Sequence, residues 1–521
     1  MGIPSYYRKL ASTVNGLYCA APTSLDWFLM DYNCLIYQVL RKMPAYVPAD
    51  RLAWEKELIR ATCDYTAELL DMVGARNVFI ALDGVVPLAK MKQQRMRRFR
   101  AIELAAEERR LGLREGVSWD SNAITPGTVF MDMLGASLRA RFPEATISDV
   151  REAGEGEHKV MQHVRGLAAG SKCAVYGLDG DLFVLALLNQ QLYVPDVAFY
   201  FFREEEDRRS GTTELVWLSL AGLSSALAEG ASSKSTWLTE YALAMCLLGN
   251  DFVPQSMAFR IKEDGHERLI TMLRRLHEGG DRLMAADGSM DRTAWMKLFG
   301  WLAREEEWRI GKAIERKRLS RRTHVGESAT DAAKAKMNDR PLEWFAEGDG
   351  RLCYSGVAPP SHDMKICLRE DWRATYAVIG LGAVPGAEAY YHSVAASRYL
   401  EAVEWTYKYY TTGITDWDWM YEFAAAPLFE CVAAADWPKD LTKSVSPPTP
   451  EEQLALVLPP ASYWLLPTCR ERQFLAAAPE YFPKSWSYHH LGKRHFWECE
   501  AHIPLPTIRV LRQIVSVANI Q

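Results

Sequence analysis

Leu25-Asp26-Trp27-Phe28-Leu29-Met30-Asp31 is the stretch that decides the fold. A short apolar run rich in Leu and aromatic residues reads as a buried strand, and this one ends on a carboxylate. The pattern recurs at Val78-Phe79-Ile80-Ala81-Leu82-Asp83 and at Val175-Tyr176-Gly177-Leu178-Asp179. Ligands of open parallel sheets bind beyond the carboxyl ends of the strands, so Asp31, Asp83 and Asp179 are expected on one rim. Gly154-Glu155-Gly156-Glu157-His158-Lys159 lies between the last two runs, and Asp181 follows Asp179 closely. Two carboxylates about 4 Å apart repel by roughly 4 kcal/mol at an effective dielectric near 20. Such a cluster calls for divalent metal or heavy protonation, and metal is the simpler answer.

Working outward, strand-like runs alternate with helical patterns from residue 1 to about 275. This is the signature of an α/β body with a largely parallel central sheet flanked by helices. From about 276 to 340 the composition turns charged, with Arg304-Glu305-Glu306-Glu307, Arg316-Lys317-Arg318 and Arg321-Arg322. That region reads as a solvated charged helix and linker, with a backbone-phosphate contact as the sharper alternative. Residues 341–521 are rich in Trp and Tyr and read as a second, mainly helical lobe packed on the first. Ser444 to Pro450 reads as a loop.

At 521 residues the chain exceeds one ordinary core. A net charge of −5 argues against a globally basic nucleic-acid coat, so any nucleic-acid contact must be local. Met1 to Leu10 carries Tyr6, Tyr7, Arg8 and Lys9, which is not the apolar core of a secretory signal, and no apolar run is long enough to span a membrane. Met1-Gly2 is no myristoylation motif, because position 6 is Tyr6. The ten cysteines include no Cys-x-x-Cys pair, which disfavours a disulfide framework or a structural zinc site. A soluble intracellular protein is expected.

Seven residues after Asp83 begins Lys90-Met91-Lys92-Gln93-Gln94-Arg95-Met96-Arg97-Arg98. In a helix, Lys90, Gln94, Arg97 and Arg98 fall at i, i+4, i+7 and i+8 and share a face. An isolated run of this kind is a solvated basic face. Beside a metal rim it instead overlooks the acids, and a phosphate would be held between them, Arg forking onto oxygens and Lys acting as a point charge. Glu155 and Glu157 directly precede a helical pattern whose first amides favour anions. The apolar run Tyr241 to Leu248 stops at Gly249-Asn250-Asp251, which delivers one more carboxylate.

Taken together these motifs resemble the Xrn/Rat-type 5′→3′ exoribonucleases, whose nuclease core is related to flap endonucleases and PIN-like domains. The resemblance rests on Met1-Gly2-Ile3-Pro4, Asp31-Tyr32-Asn33, Asp83 through Arg100, Ile124-Thr125-Pro126-Gly127-Thr128, Gly154 through Lys159, Tyr176 through Asp181 and Leu248 through Phe252. It continues through Tyr399-Leu400-Glu401, Trp405, Tyr409-Tyr410, Trp417-Asp418-Trp419, Leu458-Pro459-Pro460 and the stretch around Trp497. It implies a PIN-like core and a minimal member without the family's large accessory domains.

The resemblance further implies that Asp31, Asp83, Glu155, Glu157, Asp179, Asp181 and Asp251 hold two Mg²⁺ ions, with Mn²⁺ as an alternative. Asp31, Asp83 and the glutamates would serve mainly one ion, and Asp179, Asp181 and Asp251 the other. Lys90, Gln94, Arg97 and Arg98 would bind a 5′-monophosphate, Lys90 counting also in the catalytic set. Where the family stacks a histidine on the first base this chain has Tyr37, and the partner ring resembles Trp417 or Trp419. Tyrosine still stacks but lacks the titratable nitrogen.

The implied activity is processive hydrolysis of 5′-monophosphorylated single-stranded RNA to mononucleotides by two metal ions, in RNA decay after decapping. The enzyme would be a monomer in the cytoplasm, with a nuclear or virus-encoded setting open and a decapping factor as partner. The rival readings are a 5′ nuclease acting on DNA ends or flaps and a non-catalytic RNA-binding scaffold.

Overall fold

Trp27–Asp31, β1, lies inside a six-stranded sheet with β2 (Asn77–Ala81), β3 (Thr146–Ser148), β4 (Lys172–Tyr176), β5 (Ala198–Glu206) and β6 (Thr213–Ser219). The computed structural model describes residues 2–206, 213–320, 368, 370–414, 416–437, 445–466, 477–489, 491–493 and 498–518. The strand order is β3-β2-β1-β4-β5-β6. The first five strands run parallel, and β6 returns antiparallel to β5. Met30 is in register with Ile80 on one side and Tyr176 on the other. The chain works outward from β1 in one direction, then crosses back to β4, so the topological switch point lies between β1 and β4. That is where open α/β sheets bind ligands.

Both faces of the sheet are covered, which is why the strands are nearly continuous apolar runs rather than alternating ones. Phe28, Met30 and Ile80 pack under the helices α3 (Arg51–Val73) and α5 (Val129–Arg141), whereas Leu29, Phe79 and Val175 face α6 (Gly156–Val164) and α7 (Asp181–Leu192). Helix α1 (Tyr6–Thr13) precedes β1, α2 (Asn33–Leu40) starts two residues after Asp31, and α7 starts on Asp181 itself. The carboxylates thus sit in tight strand-to-helix turns, where backbone freedom is small.

The basic run forms the helix α4, Leu88–Arg110. It is fixed by Arg95, which is fully buried, donates from Nη1 to Leu456 O at 2.6 Å and from Nη2 to Tyr481 O, and lies against the rings of Phe99 and Phe482. Leu88 N donates to Trp417 O at 2.9 Å, tying the start of α4 to the later part of the chain.

That later part is mainly helical, with helices Trp372–Leu381, Glu388–Thr411, Phe429–Ala434, Pro450–Val457 and Ile508–Ala518 and one antiparallel ribbon of Ser487–His489 with Glu500–His502. A single apolar cluster joins Leu29 and Val175 of the sheet to Leu298, Trp405 and Phe429. Pro450 opens its helix behind a Thr449–Glu452 capping box, so only 445–449 of the expected Ser/Pro-rich loop is irregular, and Ser444 lies outside the described residues.

The region expected as a solvated helix is packed instead. Helix Arg292–Ser320 buries Trp295, Leu298, Phe299, Leu302, Ile310 and Ile314. Their spacing is helical but diluted by charge, and Glu306 within the stripe is itself buried, accepting from the amides of Phe429 and Glu430. Residues 321–340 of that expectation, Arg321 and Arg322 among them, and Trp497 lie outside the described residues. No helix of the described residues is long and apolar enough to cross a membrane, and Cys19, Cys34, Cys63, Cys173, Cys246 and Cys431 are free thiols.

Candidate active site

Asp31 is the last residue of β1, and the next amide, Tyr32 N, donates to Ala81 O at the end of β2. Asp83 follows β2 by two residues and is held from three directions. Asn33 Nδ2 donates to its Oδ2 at 2.8 Å, Asn33 Oδ1 accepts from its amide at 3.3 Å, and the amide of Gly156 donates to its Oδ1 at 2.7 Å. The Gly154–Glu157 turn is drawn in by Gly84 N to Gly154 O and Gly154 N to Val85 O. Gly154 has φ +113°, and a methyl on Gly156 would stand 2.5 Å from Asp31 Oδ1, so both positions need glycine to let the backbone approach.

Glu155 Oε1 accepts from Tyr409 OH at 2.7 Å. Its other oxygen pairs with Lys90 Nζ, which also meets Asp251 Oδ2 at 2.6 Å. Asp251 is presented by the Gly249-Asn250 turn, in which Asn250 Oδ1 accepts from Phe252 N and Val253 N. The backbone of Gly2 lies directly on Asp181.

The electrostatics tie the seven acids into one cluster. Burial, then Asp83, Asp179, Asp181 and Glu155, push the Asp31 carboxyl well above its ordinary range. Burial, with Asp181 and Glu155, does the same to Glu157. Burial together with Asp179 and Asp251 raises Asp181 to about 7. Burial also lifts Glu155 despite Lys90. For Asp251 burial is the largest single influence, but the surrounding cations, Lys90 foremost and Arg97 among them, together hold the carboxyl low.

Divalent cations fit this donor set. The donors are hard oxygens suited to Mg²⁺ or Mn²⁺. Glu157 Oε2 and Asp181 Oδ1 are buried without a hydrogen-bond partner, a costly state that a cation would relieve. Glu155, Glu157 and His158 offer ligand atoms within 4.8 Å of one another. The His158 ring lies against that of Tyr409 at a tilt of 31°, and burial lowers its pKa to about 3, so it stands neutral beside the acids.

Along α4 the four expected phosphate contacts differ in setting. Lys90 is turned into the acids. Gln94 and Arg98 are each 8% exposed, Gln94 accepting from Gln453 Nε2 at 3.4 Å and Arg98 Nη2 donating to Thr125 Oγ1 at 2.8 Å. Arg98 Nη1 is buried without a partner, and burial lowers this guanidinium to about 10. Arg97 is exposed. Tyr37 is 37% exposed and close enough to Arg98 to influence its charge. Of the two tryptophans, Trp419 is core. It is buried, stacks on Trp405 with ring centres 5.1 Å apart, and donates to Glu401. That packing removes it from the expected base-stacking pair, whereas Trp417 is half-buried beside the start of α4.

A family model described as XRN 5'-3' exonuclease N-terminus matches residues 1–204, and one described as Xrn1 helical domain matches residues 360–519. The chain belongs to the Xrn family. It is 26% identical over 592 residues to the human protein named 5'-3' exoribonuclease 1, covering 100% of this chain and 34% of that relative. It is 25% identical over 670 residues to the Gallus gallus 5'-3' exoribonuclease 2, covering 98% of this chain and 69% of the relative. The Saccharomyces cerevisiae 5'-3' exoribonuclease 2 is 32% identical over 274 residues, 42% of this chain and 27% of the relative. The chain thus spans about a third of the human Xrn relative's length.

Three supporting groups of this candidate site escaped the reading of charge and spacing. Asn33 and Tyr409 orient Asp83 and Glu155, and the Gly156 amide binds Asp83. Asn33 lies two residues from Asp31 and was within reach of a local argument. Tyr409 lies 254 residues from Glu155, and nothing local signals that meeting.

Proposed function

We propose that this chain is a processive 5′→3′ exoribonuclease that hydrolyses 5′-monophosphorylated single-stranded RNA to mononucleotides. The observation that carries the reading is Lys90, which joins Glu155 and Asp251 at the start of the helix whose next turns present Gln94, Arg97 and Arg98. One rigid helix thereby ties the acids, through Lys90, to the phosphate-binding groups.

Asp31, Asp83, Glu155 and Glu157 would hold mainly one Mg²⁺ and Asp179, Asp181 and Asp251 the other, with Mn²⁺ able to substitute; the pair would activate water and neutralise the charge that builds on the scissile phosphate and the leaving 3′ oxygen. The chain's own groups position the substrate. Gln94 and Arg98 lie about 6 and 12 Å beyond Lys90 along the helix axis. A terminal phosphate anchored there returns the next phosphodiester to the acids, so each cycle removes one nucleotide. Asn33, Tyr409 and the Gly156 amide lock carboxylate rotamers in advance, which removes reorganisation from the reaction. Tyr37 and Trp417 supply stacking surfaces for the terminal bases.

Gln453 and Thr125 hold Gln94 and Arg98 by hydrogen bonds, and a phosphate site confined by those neighbours would reject a cap or triphosphate on size. The enzyme therefore acts after decapping, with a decapping activity as its supplier.

One RNA carrying monophosphate, triphosphate, cap or hydroxyl tests this directly. Rapid decay of the monophosphate form alone, with Mg²⁺ and not with EDTA, is expected. Decay of a matched DNA strand in preference would point to a DNA 5′ nuclease, and an intact monophosphate RNA would point to a binding scaffold.

A further inference from the structure

His158 is a donor that the proposed reaction does not use. It is the third residue of α6, the helix that opens directly after Glu155. Among the described residues, Glu155, Glu157 and His158 are the one trio of His, Cys, Asp or Glu side chains whose ligand atoms all lie within 4.8 Å of one another. Both acids are more than nine-tenths buried, at 4% and 6% exposed. Glu157 Oε2 and His158 Nε2 are buried without a hydrogen-bond partner. Two orphaned polar atoms in one trio are costly, and a carboxylate oxygen and an imidazole nitrogen are both metal donors.

The trio is held in place from the second lobe. The centre of the His158 ring is 3.9 Å from that of Tyr409, and the Tyr409 hydroxyl donates to Glu155 Oε1 at 2.7 Å. One side chain thus packs the nitrogen donor and orients an oxygen donor. A nitrogen among oxygens changes which ion is favoured. Mg²⁺ demands an octahedron of oxygens and keeps several waters, whereas Zn²⁺ takes three protein ligands drawn from His nitrogens and carboxylates and leaves a fourth position to water. Tetrahedral bonds of about 2.0–2.2 Å put neighbouring donors roughly 3.3–3.6 Å apart, so the trio closes on such an ion with a movement of about 1 Å from its widest separation.

We propose that Glu155, Glu157 and His158 form an inhibitory site for Zn²⁺. The inference rests on the exoribonuclease reading, in which the same two glutamates hold Mg²⁺. A zinc ion on the trio takes those glutamates from Mg²⁺ and sets two positive charges beside Lys90, whose ammonium pairs with Glu155. Lys90 is then repelled from Glu155, and the tie between the acids and α4 is broken. His158 sets the selectivity, because imidazole suits Zn²⁺ whereas Mg²⁺ is served by carboxylates and water. Inhibition follows from occupied ligands alone, with no bond made or broken in the protein.

The test uses the full chain with H158Q, which stays polar, and H158F, which keeps a ring against Tyr409 but has no nitrogen. Zn²⁺ affinity is read by competition with a chromophoric chelator, and Co²⁺ serves as a visible probe of the same site. Both substitutions are expected to weaken Zn²⁺ binding about 10-fold or more, the scale on which the supporting groups of a metal site already act. During Mg²⁺-supported decay of a 5′-monophosphorylated RNA, Zn²⁺ should half-inhibit the wild type at a concentration about 10-fold below that needed for either variant. The Co²⁺-loaded wild type should show the intense visible bands of a tetrahedral site, a readout that does not depend on either variant folding. Equal inhibition in all three proteins, a wild type that binds no Zn²⁺, or the weak bands of octahedral Co²⁺ would overturn the proposal. A wild type that binds Zn²⁺ through His158 yet leaves the RNA intact with Mg²⁺ would instead sink the exoribonuclease reading and keep the zinc site.

Discussion

Stripping divalent metal should destabilise the protein in a pH-dependent way whose sign follows from Asp181. Burial, with Asp179 and Asp251, raises its carboxyl from an ordinary 3.8 to about 7 in the metal-free fold. A carboxyl with a raised folded pKa contributes stability that is complete below pH ~4 and is lost as pH rises through ~7. That gap of about three pH units is worth roughly 4 kcal/mol once the group is ionised. Asp31 and Glu157 shift in the same direction and add to it. On the proposed reading, bound Mg²⁺ reverses the effect by compensating the ionised acids. With an unfolding entropy of about 2.1 cal/mol/K per residue over 521 residues, 4 kcal/mol moves a cooperative melt by about 4 °C. Thermal melts at about pH 5.5 and pH 8, each with EDTA and with saturating Mg²⁺, provide the assay. The Mg²⁺ increment should be near zero at the lower pH and about 4 °C or more at the higher. Glu306, raised to about 8 by burial, erodes stability over an overlapping window but in both arms, so the difference between arms removes it. Equal increments at the two pH values, or none at pH 8, would refute the premise that these acids are mutually repelling and metal-compensated.

Asp179→Ala or Asp181→Ala should abolish hydrolysis and leave RNA affinity within about threefold by filter binding, because on the proposed reading the acids hold metal rather than strand. Asn33→Ala and Tyr409→Phe should each raise the Mg²⁺ concentration for half-maximal rate by about 10- to 100-fold, since each removes an orienting hydrogen bond from a ligand carboxylate. Arg97→Ala should erase the preference for monophosphate over hydroxyl ends in paired decay assays. Trp417→Ala should cost about 1–3 kcal/mol in RNA affinity with little change in melting. Trp419→Ala should instead destabilise the fold by about 3–5 kcal/mol, as truncation of a buried Trp does.

Much of the sheet was legible because its strands are buried on both faces. Such strands carry no polar alternation to confuse them with surface elements, and their ends are marked by Asp31, Asp83 and Asp179. The sheet order was not legible. No residue in Lys172–Tyr176 states that it pairs with Trp27–Asp31 rather than with Thr146–Ser148, and only packing of α6 and α7 on the same face settles the crossover. The helix Arg292–Ser320 was misread as solvated because Glu306 interrupts its apolar stripe. Charge counts treat that carboxylate as a surface group, whereas two backbone amides of another helix satisfy it in the interior.

The acids of the site were legible for a reason that does not extend to its support. A carboxylate that ends an apolar run is locally anomalous, because it costs free energy unless something compensates it, and that anomaly is visible in a few neighbouring residues. Lys90 was visible for the same reason, as a cation soon after such an acid. Trp417 and Trp419 are two residues apart in one motif, equally aromatic, and local chemistry offers no basis for choosing between them. The choice follows from Trp405, whose ring takes Trp419 into the core, while Trp417 is left beside the start of α4 with its carbonyl accepting from Leu88. What the composition of a segment reveals is a group that needs a partner; which distant element supplies the partner is set by packing, and Tyr409 on Glu155 is the clearest instance in this chain.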